Sequence, residues 1–395
     1  MPSCQQSPAV SNLRISGEGD DISGLLAMLG GITDPRKARG KIYSLSFMLA
    51  SALVATLAGA TGLREIGSRV ADFGQDLLAR LGAPFDHFTG RYRAPSEKAI
   101  RALFEKMDVA AVDAAFGAWL FAHAVWEPGE DIVLAMDVKV LRGAWSEGNK
   151  RVTLLSAMVH AKGLVAGQVR VPDGTNEITQ VAALLENLPD ISGPVVATLD
   201  AVHTQHETAF LLVEHGIDYA LTVKGNQPTL YRKTFEQTLP LLQKPPQHEV
   251  EERGHGRIKK WQAWTTEAKG IGFPEVATAA VIRRDEFDLK GIRVSREYAH
   301  ILTSVAGNRA TAAYIHRLIR GHWGIENEIH YPRDTAWRED ANQTHTGNSP
   351  HTLASFRNLA IGIIRRNGIR KIKETLEYIA GDRDRVLPLL ATACH

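Results

Sequence analysis

Two short apolar runs constrain this 395-residue chain more than anything else in it: Asp131–Asp137 (DIVLAMD) and Val195–Asp200 (VVATLD). Each is too short for an ordinary helix, and each is an apolar stretch closed by an aspartate. That is the pattern of a strand buried on both faces. Between them lie two β-like runs, Val152–His160 and Leu164–Val171, which the Lys162-Gly163 turn joins as a hairpin. Asn176 can cap a helix running to about Leu188, with Glu177 in its first turn. A helix over 205–215 and a strand Tyr219–Val223 follow. The order strand, hairpin pair, helix, strand, helix, strand predicts a compact α/β unit, because its crossover makes the first and fourth strands parallel. Ligands in such sheets bind near strand carboxyl ends, so the two aspartates mark a candidate site.

The flanks read differently. Residues 1–22 are polar and predict a flexible N-terminus, and 23–128 predict a helical domain. In that domain Ser23 can cap a short helix, Ile42–Ala60 and Gly62–Leu81 form two more, and Ser96 caps one starting at Glu97. Val109–Val125 is an apolar run that Pro128-Gly129 ends. From Ile42 to Leu63 no charge occurs for 22 residues, enough to span a bilayer. The segment is rich in Ala, Ser, Thr and Gly and no second span exists, so a buried helix is the reading and no membrane is expected. The α/β unit covers 129–224 and resumes at 306–350, around a β-rich insertion at 225–305. In the second part, Thr311–Tyr331 reads as a helix that Pro332 stops or kinks. Residues 351–395 predict a basic helical C-terminal region.

Charge says little about partners. Lys and Arg number 46 against 44 Asp and Glu, so any basic surface must be local. The two cysteines, Cys4 and Cys394, are too few for a disulfide framework or a zinc knuckle and fit a reducing cytosol. The first 20 residues hold one basic residue, Arg14, and no apolar core, so no signal peptide is expected.

The chemistry gathers in a few places. Asp137 and Asp200 at neighbouring strand ends need cationic compensation, which a hard divalent metal such as Mg²⁺ supplies economically. The alternative is that each acid caps a turn. Glu326 has His322 and His330 at i−4 and i+4, with Trp323 one step from His322. This His-x₃-Glu-x₃-His pattern is also compatible with a zinc site or with an amphipathic surface helix. Lys224, Asn226 and Gln227 follow the last core strand on the same sheet edge as the aspartates and suit a nucleic-acid backbone. His255 and Arg257, close to Trp261, suit strand stacking. Arg365, Arg366 and Lys371 lie in the acid-free stretch Ser355–Lys373 and suit phosphates. Solvated turns, hairpin tips and helix faces would look alike.

At these residues the chain resembles the DDE transposases of bacterial insertion sequences. The similar branch carries an N-terminal transposase-associated domain and includes the H-repeat-associated proteins of Rhs elements. The blocks that carry the resemblance are DPRKARGKIYSL (Asp34–Leu45), LAGATGLREIG (Leu57–Gly67) and APSEKAIRALFEKMD (Ala94–Asp108). MDVKVLRGA (Met136–Ala144), TNEITQVAALL (Thr175–Leu185), TLDAVHTQ (Thr198–Gln205) and DYALTVKGNQPTL (Asp218–Leu230) follow. RGHGRIKKW (Arg253–Trp261) and Ile319–Asp340 complete the family order.

The resemblance implies an RNase H-like catalytic core preceded by an all-α domain, with Asp137, Asp200 and Glu326 as the metal-binding triad. It implies two Mg²⁺ ions, for which Mn²⁺ can substitute, and cleavage of insertion-sequence ends followed by strand transfer. A homodimer would hold terminal inverted repeats, in the bacterial cytoplasm and on the nucleoid. Lys139, Arg142, His322, Trp323 and Arg333 join the expected DNA contacts. Where the wider superfamily has a Tyr, an Arg and a Lys around the Glu, this chain has Ile319, His322 and Arg333, and Val138 stands where the family usually has Gly. A degenerate or domesticated DNA-binding copy and a plain metal-dependent nuclease are the alternatives.

Overall fold

The computed structural model describes residues 21–127, 129–145, 150–175, 177–254 and 256–391. The expected tail (but for Asp21 and Ile22), the cap Asn176, His255, Cys4 and Cys394 lie outside the described residues.

The N-terminal helices are α1 (Ser23–Gly31), α2 (Leu45–Leu57), α3 (Leu63–Ala71) and α4 (Gln75–Arg80). A short hairpin follows, β1 (Phe85–Asp86) with β2 (Arg91–Tyr92), then α5 (Glu97–Phe104) and α6 (Val109–Ala122). The region is therefore helical apart from that hairpin. Ser44 caps α2 by accepting the Phe47 amide at 3.2 Å, and Ser96 caps α5 at the position its sequence indicates. The uncharged Ile42–Leu63 stretch holds α2, buried along nearly its whole length, and no helix among the described residues is long and apolar enough to cross a membrane.

The α/β unit consists of β3 (Ile132–Trp145), β4 (Arg151–Val159), β5 (Leu164–Val171), α7 (Val181–Glu186), β6 (Val195–Leu199), α8 (His206–Glu214) and β7 (Ile217–Val223). Helix α9 (Pro228–Thr238) and β8 (His248–Gly254), β9 (Arg257–Glu267), β10 (Thr278–Asp288) and β11 (Arg293–Thr303) come next. These last strands do not form a separate sheet. β11 pairs antiparallel with β7, giving one nine-stranded mixed sheet in the order β5-β4-β3-β6-β7-β11-β10-β9-β8. The chain closes with α10 (Ala312–His322), α11 (Tyr331–Ala336), α12 (Ser349–Arg366), α13 (Ile372–Gly381) and α14 (Leu387–Leu390).

Alternation along the strands sorts the two sheet faces. Val133 of β3 and Val196 of β6 pack with Ile315 and Leu318 of α10. Leu134, Met136, Ala197 and Leu199 face the other way, into the larger core that includes Val181 of α7 and Leu212 of α8. That larger core is continuous from Ile22 to Leu390 and joins the N-terminal helices to α12.

The basic C-terminal region is the main surprise. The sequence suggested a phosphate-binding face, but α12 is buried along 349–364 and packs against α2, α5, α6, β4 and β5. Its cations serve that packing. Arg357 is 2% exposed, and Arg365 donates to the Gly163 carbonyl at 2.6 Å. Arg366 donates to the Leu389 and Ala391 carbonyls and lies 4.5 Å from the Trp119 ring centroid.

Candidate active site

Strand pairing places the two aspartates. β3 and β6 run parallel, with Ala135 opposite Thr198 as the last pair. Asp137 and Asp200 each lie two residues further on, so they are level on neighbouring strands and share the α10 face with Val133 and Val196. β3 does not end at Asp137, as its apolar run suggested, but continues to Trp145 paired only with β4 at that level. The crevice therefore opens because β6 stops. Val138 projects to the opposite face, where it lines a hollow with Val140, Ile178 and Val202, away from the Asp137 carboxylate.

The helix bearing Glu326 departs from the expected geometry. Beyond His322 it widens over Glu326–His330 into a π-helical turn, with the Tyr331 amide donating to the Glu326 carbonyl, and continues as α11. Pro332 neither stops nor breaks it. The wider turn moves away the carbonyl that the proline ring would strike and removes the need for its N–H.

This turn brings Glu326 and His330 together and directs both at Asp137. His330 Nδ1 lies 2.9 Å from Glu326 Oε2 and 3.6 Å from Asp137 Oδ2. One ligand atom from each of the three falls within 4.8 Å of the others. His322 is not part of this group, which removes the His-Glu-His zinc arrangement. Its Nδ1 turns inward to the Thr198 hydroxyl at 3.1 Å. Asp200 stands at the next strand end, and its Oδ1 accepts the Val202 amide at 3.0 Å.

Five acids lie between 326 and 340, and their partners differ sharply; Asp334 takes the Lys139 ammonium at 2.6 Å. Glu326 keeps 68% of its side chain exposed, and its hydrogen bond from His330 holds its carboxyl below the usual range. Glu328 points elsewhere and pairs with Arg365 at 3.3 Å. Glu339 is buried between Arg333 (2.8 Å) and Arg357 (2.6 Å). Burial alone would raise its carboxyl, but the two guanidinium groups hold it down to about 2. Asp340 faces Arg142 at 3.4 Å and Lys139 at 3.9 Å.

The expected DNA contacts divide. Lys224 is exposed and directly follows β7, the strand next to β6. Asn226 donates to the Ala201 carbonyl at 2.8 Å and Gln227 to Gln205 at 2.7 Å, so both amides brace the loop after Asp200. Trp323 is 60% exposed with Arg284 5.9 Å from its ring centroid, and Arg257 pairs with Glu286 at 2.8 Å. Lys371 is exposed and pairs with Glu374. Arg142 keeps 71% of its side chain in solvent. Four expectations are corrected by burial. Arg333 is fully enclosed with Glu339, Lys139 is 8% exposed with its ammonium 2.6 Å from Asp334, and Arg365 is held inside as described. Arg366 is likewise spent on carbonyls and Trp119.

Two residues escaped the sequence reading. Thr198 carries a signal in retrospect, because it precedes Asp200 by two and must share its face. His160, whose Nε2 is 2.9 Å from the Thr198 hydroxyl, carries none, since its position depends on hairpin register.

Known proteins are similar to this chain over most of its length. The DDE_Tnp_1-associated model matches residues 26–120, and the model of the transposase DDE domain matches residues 128–363. "Putative transposase YncI" of Escherichia coli O157:H7 is 28% identical over 360 residues, covering 87% of this chain and 88% of that protein. "H repeat-associated putative transposase YhhI" of Escherichia coli K12 is 27% identical over 390 residues, 94% of this chain and 98% of that protein. "Uncharacterized protein in dhlA 3'region" of Xanthobacter autotrophicus is 33% identical over 242 residues, 60% of this chain and 78% of that protein. With the DDE model covering more than half of it, the chain belongs to the DDE transposases, DNA-cleaving and strand-transferring enzymes that depend on a divalent metal.

Proposed function

We propose that Asp137, Asp200 and Glu326 hold two Mg²⁺ ions, with Mn²⁺ able to substitute, and that the chain cuts insertion-sequence ends and joins them to target DNA. The observation that carries this is the arrangement past the end of β6: strand register puts Asp200 level with Asp137, and a π-helical turn brings the exposed Glu326, with His330, within 4.8 Å of Asp137. The donor set fits the ions, since carboxylate oxygens are what hard divalent cations prefer. The β5-β4-β3-β6-β7 part of the sheet, with β4 antiparallel, supports an RNase H-like core, and the mostly helical region at 23–128 supports the transposase-associated domain.

Bound divalent cations supply Lewis-acid activation of water or a 3′-hydroxyl and stabilise the leaving oxygen. The protein's own contributions are separate. His330 orients Glu326 through the 2.9 Å contact, and the Arg142–Asp340 and Lys139–Asp334 pairs keep other charges occupied beside the site. Lys224 and Trp323 would grip the DNA strand, one by charge and one by stacking, which their exposure supports. A homodimer would bring two inverted-repeat ends together on bacterial nucleoid DNA in the cytoplasm. Each active site then acts on one end.

The test compares two neighbouring acids. Glu326→Gln keeps side-chain size and removes the charge, so end-DNA binding should persist while Mg²⁺-dependent cleavage falls by orders of magnitude. Glu328→Gln should cleave nearly as the parent does. The reverse pattern, measured on labelled end DNA, would overturn the triad.

A further inference from the structure

Beneath the carboxylates lies a buried knot of neutral polar groups. Thr198 is fully buried on β6, and its Oγ1 is 2.9 Å from His160 Nε2, 3.1 Å from His322 Nδ1 and 3.4 Å from the Leu134 carbonyl. A hydroxyl has one proton and two lone pairs. Leu134 can only accept, so using all three contacts requires the hydroxyl to donate to it and both rings to donate their N–H. Burial lowers both histidines, His160 to about 3. For His322 this holds although Asp137 and Asp200 pull the other way. The rings are thus neutral, one donor each, as the knot needs.

The four groups come from four elements. Leu134 belongs to β3, which carries Asp137, and Thr198 to β6, which leads to Asp200. His322 closes α10, which leads to Glu326. His160 follows β4, and its amide donates to the Val133 carbonyl at 2.9 Å. Helix α10 reaches this depth because position 321 is glycine; a methyl group there would overlap the His160 ring, whose Nε2 is held by Thr198.

We infer that Thr198, with His160, His322 and Gly321, forms a clasp that sets the position of the Glu326 helix against the two aspartate strands. His322, at the place where the superfamily has an arginine, is thereby a positioning residue and not a DNA contact. The inference rests on the proposed triad. It predicts that metal capture depends on a hydroxyl that touches neither metal nor DNA.

Thr198→Val preserves shape and deletes the hydroxyl; Thr198→Ser retains it. Mn²⁺ binding followed by electron paramagnetic resonance should weaken in the Val variant. The kcat of end cleavage should fall about 10- to 100-fold with the KM for DNA unchanged, as a displacement of reacting groups by about 1 Å produces. The Ser variant should restore both. Gly321→Ala keeps every polar group and should reproduce the Val defect; it decides the matter if Thr198→Val does not fold. Parental Mn²⁺ affinity and kcat in both Thr198→Val and Gly321→Ala would overturn the clasp. Asp137→Asn is the control for the underlying reading: if it leaves Mn²⁺ binding intact, the triad itself fails.

Discussion

At the scale of single residues, the choice among Glu326, Glu328, Glu339 and Asp340 shows what a sequence can and cannot convey. Helical phase already separates Glu326 from Glu328, since a step of two residues is about 200°. Nothing in the sequence announces that Glu339 is buried with Arg333 and Arg357, because that trio depends on α12 returning beside α11. Arg333 therefore looked like a DNA contact and is a core ion pair. Its partner has a measurable signature. Glu339 ionises well below an ordinary carboxylate, at about 2 against 4.5, so it stabilises the fold fully above about pH 4.5. That contribution is lost as pH falls from there towards 2. Glu339→Gln should flatten the acid limb of a stability-against-pH curve. It should also lower stability at neutral pH by about 3–5 kcal/mol, because two buried guanidinium groups lose their partner. Urea titrations across pH would show both effects.

At the scale of elements, strands were easier to read than the helices that pack on them. An apolar run closed by an aspartate identified β6 to within a residue, since period-two patterns survive whatever lies above the sheet. The sequence of α12 shows its arginines but not their destinations. A long side chain can bury its stem and spend its charge on carbonyls, and Arg365 and Arg366 do so. Replacing both by Ala should lower the melting temperature, with about 1–3 kcal/mol lost for each group left unsatisfied. The slope of log K against log salt for DNA should stay as it is, whereas two lost phosphate contacts would reduce it by about 1.8. Thermal melts and salt-dependent binding on the same variant separate the two roles. The π-helical turn is equally hidden: at α-helical spacing Pro332 reads as a helix terminator.

At the scale of the whole molecule, the expected division at 128 is not a division of packing. The Trp337 indole donates to the Thr56 carbonyl at 2.9 Å, Asn348 donates to the Met107 carbonyl at 2.8 Å, and Arg357 donates to the Thr61 carbonyl at 2.8 Å. His351 and Ser355 of α12 both reach Asp113 of α6. No local pattern reveals such long-range stitching, although each partner is unremarkable where it stands. Calorimetry of the full chain should show one cooperative transition. A fragment of residues 21–127 should lack a folded circular-dichroism and proteolysis signature unless α12 is restored to it, because α2, α5 and α6 all pack against that helix.

The continuous core has a further consequence, in time. Helix α2 is completed at Leu57, and α12, against which it packs, begins at Ser349, roughly 290 residues later. At about 5–20 residues per second, a ribosome needs some 15–60 s to cover that distance. During that interval the nascent chain presents an apolar helix with its final cover not yet synthesised, and it must be shielded by chaperones or by transient contacts. A prematurely terminated chain can carry Asp137, Asp200 and Glu326 and still never close. Translation to the last helices is in this way a checkpoint on the birth of a DNA-cleaving enzyme.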